Sequence, residues 1–244
     1  MSHLVHVNVP LEGPCSELAR TLFPPGVVVC RKPADQRLVA ELDEEELQLI
    51  LRAVDKRRWE FAAGRSAAKC GLEELGRAPT ALLASAERDP RWPPGVVGSI
   101  THTEGFCGAA VGDDRSGLTA IGFDAERMRS LAPDVAKMVL SAREEASWPS
   151  GVDRGIWAML TFSAKESVYK CLFPLLRIQI GFEDVSLEFG GPSEGFSARV
   201  QPTGHQAMVV FGRCATSNDH LFTSCFLQTS RGGLHAPDSV ALGG

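Results

Sequence analysis

Residues 120–128 read AIGFDAERM, an apolar run that ends in two acids, Asp124 and Glu126, with one alanine between them. The run reads as a buried strand, and on a strand residues two apart share a face. Asp124 and Glu126 therefore project together. Two carboxylates on one face repel unless a cation sits between them, and Mg²⁺ is the usual guest where phosphate is also handled. Taken alone, the pair reads as solvated charge at a strand end, because surface acids are the norm.

Upstream, VVGSITH (96–102) and FCGAAVG (106–112) flank a turn at Thr103-Glu104-Gly105. With 118–126 they predict an antiparallel meander. Before them come two helical stretches separated from the strands by the Pro-rich RDPRWPPG (88–95). Residues 41–54 open acidic and carry Leu47, Ile50, Leu51 and Val54 at helical spacing. Residues 55–76 carry Phe61, Ala68, Leu72 and Leu75 as an apolar stripe, with Gly76 as the stop. Downstream, 153–173 returns to helix. Pro174 and Gly181 then introduce VSLEF, FSARV, QAMVVFG and LFTSCFL, short alternating runs that predict a second sheet. Helices followed by strands thus occur twice. The chain reads as two α+β halves, residues 1–117 and 118–228, and the Gly-, Ser- and Pro-containing 229–244 as a flexible tail. No residue-level internal repeat is evident.

The chain has 244 residues, 44% hydrophobic and 23% charged, enough to bury a substantial core. Its net charge of −5 supplies no global basic field for nucleic acid or an anionic membrane. Seven cysteines without a C-x-x-C pair indicate reduced thiols rather than a zinc ribbon or disulfide framework. MSHLVHVNVPLEG lacks a leader pattern and no window approaches ~18 uninterrupted apolar residues, so a cytoplasmic protein is expected.

The stretch FSAKESVYK (162–170) changes the weight of the acid pair. On a helix, Ile156, Trp157, Leu160, Ala164, Val168 and Cys171 gather on one face, and Phe162, Lys165, Glu166, Tyr169 and Lys170 on the other. A solvated Glu166–Lys170 pair does not explain the two aromatics among those charges. A third acid facing the strand pair, flanked by two lysines, makes a magnesium site with partners for phosphate oxygens. In VVGSITHTEG (96–105), hydroxyls and small residues surround His102. No H-E-x-x-H or Cys/His cluster argues for zinc.

KRRWEFAAGRSAA (56–68), RDPRWPPGVVGSITH (88–102), AIGFDAE (120–126) and FSAKESVYK (162–170), in this order, resemble the 4′-phosphopantetheinyl transferases of the larger, surfactin-synthetase-activating and enterobactin-type class. The resemblance implies two similar α+β halves related by a pseudo-two-fold axis, each with a small, largely antiparallel sheet packed on helices. It also implies coenzyme A bound between the halves of a monomer. Asp124, Glu126 and Glu166 would hold Mg²⁺ against the pyrophosphate, and Lys165 and Lys170 would contact the phosphates. His102, with Thr101 beside it, matches the grip on the 3′-phosphate; Arg57 and Arg65 match the arginines at the adenosine end, and Arg88 a position near the adenine. Helix geometry alone aligns Arg58, Arg65 and Lys69, whereas the resemblance selects Arg57. Phe123 and Phe162 stand where relatives more often have an aliphatic residue and a tryptophan.

The reaction so implied is attack by a serine hydroxyl of an apo acyl or peptidyl carrier protein on the phosphorus bearing the pantetheine arm, releasing 3′,5′-ADP. Lys165 and Mg²⁺ would neutralise the leaving phosphate, and Glu166 or a water on the metal would take the serine proton. Acidic carriers of fatty acid, polyketide or nonribosomal peptide synthesis would meet a local basic and apolar patch. Two other enzyme readings are weaker. Gly191-Pro-Ser-Glu-Gly195 matches a hydrolase elbow, but FSARVQP after it reads as strand, not helix. No phosphate-binding P-loop is present. A metal-dependent phosphohydrolase or nucleotidyl transferase using the same acids, or a non-catalytic binding module, are the remaining alternatives.

Overall fold

A computed structural model describes residues 4–190, 195–217 and 219–229. The serine of the elbow-like stretch and residues 230–244 of the expected tail lie outside the described residues. Thr229 is within them, and its N–H donates to Gly117 O at 2.8 Å.

The first elements in chain order are β1 (Val5–His6), β2 (Gly13–Pro14), α1 (Ser16–Leu22), β3 (Val27–Lys32), α2 (Glu44–Gln48), α3 (Asp55–Glu74), β4 (Val96–Thr103) and β5 (Phe106–Asp113). β6 (Leu118–Arg127), α4 (Pro133–Val139), α5 (Ala142–Ala146), α6 (Arg154–Leu176), β7 (Val185–Phe189), β8 (Phe196–Val200), β9 (Met208–Ser217) and β10 (His220–Gln228) follow. The architecture is α+β. An antiparallel four-stranded sheet runs β2-β3-β5-β4; a six-stranded sheet runs β6-β10-β9-β8-β7, with β1 added parallel to β9.

The expected meander is broken after its second strand. β4 pairs with β5, His102 opposite Cys107, but β6 pairs with β10, Asp124 opposite Thr223. The other edge of β5 is taken by β3. β4 still runs beside β6, through side chains. Ser99 Oγ accepts the Phe123 N–H (3.0 Å), Thr101 Oγ1 that of Ala125 (3.1 Å), and Thr103 Oγ1 that of Arg127 (3.3 Å). Alternate residues of β4 thus offer a hydroxyl where a paired strand would offer a carbonyl. This seam joins the sheets and holds the backbone on either side of Asp124.

The helix expected over 41–54 shrinks to α2. Glu46 turns back to accept the Asp43 N–H at 3.1 Å, a capping interaction, and the helix ends at Leu49. Of the expected stripe, Ile50 is buried while Leu51 and Val54 are exposed. α3 forms as expected, and Gly76 beyond it takes φ +68°, the left-handed conformation a stop requires.

α6 does not have one packed face and one chemical face. Trp157, Leu160, Ala164, Val168 and Cys171 are buried, but so are Thr161, Ser163, Lys165 and Ser167. The helix runs through the interior, against β6, β10 and α4. It approaches β6 at Gly122, where an added Cβ would lie 1.8 Å from Ser167 O. Phe123 points the other way, into a core shared by both sheets, with its ring 5.9 Å from Phe23 and 6.2 Å from both Phe106 and Phe222. All seven cysteines are free, and six are buried. Among the described residues, no helix is long and apolar enough to cross a membrane.

Candidate active site

The close approach of β6 and α6 brings Asp124 against two helix residues one turn and more apart. Asp124 is 3% exposed. Its Oδ1 accepts Lys170 Nζ at 2.6 Å and Thr101 Oγ1 at 3.3 Å, and its Oδ2 accepts Ser163 Oγ at 2.8 Å. The ammonium and the two hydroxyls leave neither oxygen of this buried carboxylate without a partner. Two strand positions on, Glu126 accepts Thr103 Oγ1 at 3.3 Å. Burial, then the neighbouring Asp124, push its carboxyl up to about 7. Glu166 is also raised, chiefly by burial; Lys170 opposes the shift and Asp124 adds to it.

Asp124 is near enough to raise both Glu126 and Glu166, and Lys170, which contacts Asp124, opposes both shifts. The three acids are not drawn together as ligands: among the described residues no set of three His, Cys, Asp or Glu side chains stands ready to hold a metal ion. Their charge balance nonetheless suits one. Three carboxylates face one ammonium, two of them are pushed toward the protonated form, and every donor is a hard oxygen, the chemistry that Mg²⁺ prefers.

His102, on the opposite face of β4 from Thr101, contacts Arg57 Nη1 through Nε2 and lies 3.7 Å from Glu60 Oε2 through Nδ1. Burial and then Arg57 lower its pKa, which favours the neutral ring. Arg57, Glu60 and His102, with Lys56, Arg127 and Arg129, line a cavity of about 410 Å³. Arg57 thus faces His102, while Arg58 lies 3.9 Å from Asp55. A second cavity, about 220 Å³, has Arg88, Trp92, Tyr169, Lys170 and Phe173 in its walls. A third, about 270 Å³, opens beside Glu166, with Tyr169, Ile180 and Phe182. A larger apolar cavity of about 580 Å³, around Trp157 and Leu187, shares no residue with the acid cluster.

Three expected site residues stand elsewhere. Lys165 is 2% exposed and turned away from Asp124. Its ammonium lies 3.0 Å from Glu144 Oε2 and donates to Val139 O and Phe182 O, each at 3.0 Å, which leaves no proton for a phosphate. Thr101 does not stand with His102, because neighbouring strand residues face opposite ways; its hydroxyl serves Asp124 and Ala125. Arg65 is buried with its guanidinium 4.4 Å over the Phe61 ring and 3.9 Å from Glu46, and burial pulls its pKa down to about 10. Conversely, Thr103, Ser163 and Glu60 support the site and were not singled out from sequence. Thr103 was visible as one of three alternate hydroxyls, and Glu60 as the glutamate three residues after Arg57 in the resembled pattern; Ser163 carries no local signal.

Acids with raised pKa values around a buried carboxylate–lysine pair, beside a basic cavity, mark a candidate catalytic site. Comparison with known proteins narrows the class. Residues 44–112 match the family profile described as the 4′-phosphopantetheinyl transferase N-terminal domain, and 120–216 match that of the 4′-phosphopantetheinyl transferase superfamily. The chain is 34% identical over 200 residues to the 4′-phosphopantetheinyl transferase Npt of Nocardia iowensis, covering 80% of this chain and 87% of that one. It is 38% identical over 156 residues to the 4′-phosphopantetheinyl transferase PptT of Mycobacterium tuberculosis, 64% of this chain and 68% of that one. Enterobactin synthase component D of Salmonella typhi is 35% identical over 135 residues, 54% of this chain and 55% of that one. The chain belongs to the 4′-phosphopantetheinyl transferase superfamily and is an enzyme of that class.

Proposed function

We propose that the enzyme moves the phosphopantetheine arm of coenzyme A onto a serine hydroxyl of an apo acyl or peptidyl carrier protein, releasing 3′,5′-ADP, with Mg²⁺ held by Asp124, Glu126 and Glu166. The observation that carries this reading is the buried Asp124–Lys170 pair where β6 meets α6, with the half-buried Glu126 and Glu166 near enough to feel its charges. Bound Mg²⁺ would supply positive charge for the phosphate oxygens of donor and leaving group.

The chain's own residues do the rest. Arg57 and His102 line the basic cavity and bind the 3′-phosphate end. Arg88 lines the cavity assigned to the base. Lys170, already in contact with Asp124, turns its ammonium to the pyrophosphate. The arm then runs past Glu166 into the cavity formed with Ile180 and Phe182. Glu166, whose burial raises its proton affinity, suits the role of acceptor for the serine proton. Lys165 lines that cavity too, but its ammonium is engaged by Glu144, Val139 O and Phe182 O and holds the helix. The four-stranded sheet with α3 and the six-stranded sheet with α6 form two comparable halves, β1 crossing from one to the other. We propose that the enzyme acts as a monomer in the cytoplasm.

Wild-type protein, coenzyme A, Mg²⁺ and a panel of apo carriers are incubated, and the carriers weighed for the added arm. Asp124→Ala is expected to lower the rate by at least ~10²-fold with the fold retained, and chelation to abolish it. Near wild-type loading by Asp124→Ala removes the acid cluster from the chemistry. Breakdown of coenzyme A without any carrier replaces transfer by hydrolysis.

A further inference from the structure

Tyr169, Phe173 and Arg177 recur every fourth residue along α6 and its C-terminal cap. The Tyr169 and Phe173 rings stack at 5.1 Å and 24°, and the Arg177 guanidinium lies 5.7 Å over Phe173. Arg177 is held there by its backbone: with φ 55° it takes the left-handed conformation that ends the helix, and its N–H donates to Phe173 O at 2.9 Å. From this end it crosses to the other half of the chain. Its Nη1 donates to Asp89 Oδ1 at 2.8 Å and lies 3.7 Å from Glu87 Oε2.

Asp89 sits in a tight turn closed by the Ala84–Pro90 bridge and by Ser85 N–H donating to Asp89 O at 2.8 Å, with Arg88 at φ 73°. This turn and α6 are opposite walls of the cavity of about 220 Å³. Flat groups dominate it: Tyr169 and Phe173 on the helix side, and Trp92 across, packed so tightly on β4 that a Cβ at Gly98 would come within 2.5 Å of its ring. Lys170 lies in the same wall and ties the cavity to Asp124. A cavity of this size lined by three aromatic rings suits a planar heteroaromatic ring.

We propose that Arg177, which does not itself line the cavity, is a positioning residue. By clamping the 85–90 turn to the end of the Tyr169–Phe173 stack it sets the width of the cavity that receives the base of the nucleotide donor. The inference rests on the transfer reading above. Arg177 acts through Asp89 and Phe173, so its loss loosens binding of the base while the acids and Lys170 keep their places.

The test compares Arg177→Ala and Arg177→Lys with wild type at saturating carrier. For Arg177→Ala, KM for coenzyme A is expected to rise about fivefold, the scale of one partly exposed charge pair, with kcat within about twofold. Affinity for 3′,5′-ADP should fall by the same factor, affinity for inorganic pyrophosphate should not change, and Arg177→Lys should restore more than half of the loss. A KM and 3′,5′-ADP affinity equal to wild type overturn the proposal. So does a parallel loss of pyrophosphate affinity and kcat, which marks a general structural role. If wild type itself loads no carrier, the transfer reading fails instead.

Discussion

Glu46 and Glu144 are both fully buried in similar surroundings that differ chiefly in the cation meeting each. Each sits in the first turn of a short helix and returns to accept a backbone N–H there, Asp43 at 3.1 Å and Ser141 at 2.8 Å. Each accepts a second from a segment farther on, Leu82 at 2.9 Å and Leu187 at 3.0 Å. Each meets a lysine from the next long helix, Lys69 at 2.8 Å and Lys165 at 3.0 Å. The difference lies in the lysine. Lys69 is shared with the half-exposed Asp43 and its side chain is 19% exposed, whereas that of Lys165 is 1% exposed. The second hub ties α4, α5 and Phe182 to α6, the helix that carries Glu166 and Lys170.

The helix contacts differ in the same sense. α3 lies on its sheet through its own small residues, Ala63, Ala67, Ala68 and Gly71 among them. α6 instead comes onto β6 at the strand residue Gly122. Gly122→Ala should have the largest effect of any change named here: its methyl would meet helix backbone, which cannot swing aside, at a cost above ~5 kcal/mol. Gly71→Ala meets the Val111 side chain at 2.6 Å, which can shift, and should cost less. Equal losses in denaturant unfolding would erase the distinction.

Next, Lys165→Met should cost about 3–5 kcal/mol, because Glu144 is left charged and buried. Lys69→Met should cost about 1–2 kcal/mol, since Arg65 remains 3.9 Å from Glu46. The reverse order would break the comparison. The smallest effect is in pH. Lys69 holds the Asp43 carboxyl below its ordinary 3.8, so Asp43 adds stability above that value, and this is lost as pH falls through the lower folded value. Asp43→Asn should flatten the acid limb of the stability curve. Ser141→Ala, at the matching position, should lower stability by about 1 kcal/mol at every pH.

Much of the site was legible because its spacing is local. Asp124 and Glu126 on one strand, and Glu166 and Lys170 on one helix, follow from periods of two and of about 3.6 residues. Lys165 was misread for the same reason: periodicity sees a charge and assigns it to the polar face, while its partner Glu144 lies outside the helix. One short local likeness was passed over. Leu42-Asp-x-x-Glu46 and Leu140-Ser-x-x-Glu144 share one pattern, hidden because the first lies in an acidic run that resembles a longer helix. β3, VVVCRK between prolines, was a readable strand passed over.

By itself the sequence determined the α+β class, most of the strands, and the identity of the acids, since these depend on side-chain chemistry and on near-neighbour spacing. Tertiary structure alone decided that β6 leaves β5 for β10, that the hydroxyls of β4 stand beside Asp124 and Glu126, and that Lys165 turns inward. Those choices rest on contacts between residues about twenty or more apart in the chain, where shape and charge complementarity carry no local signature.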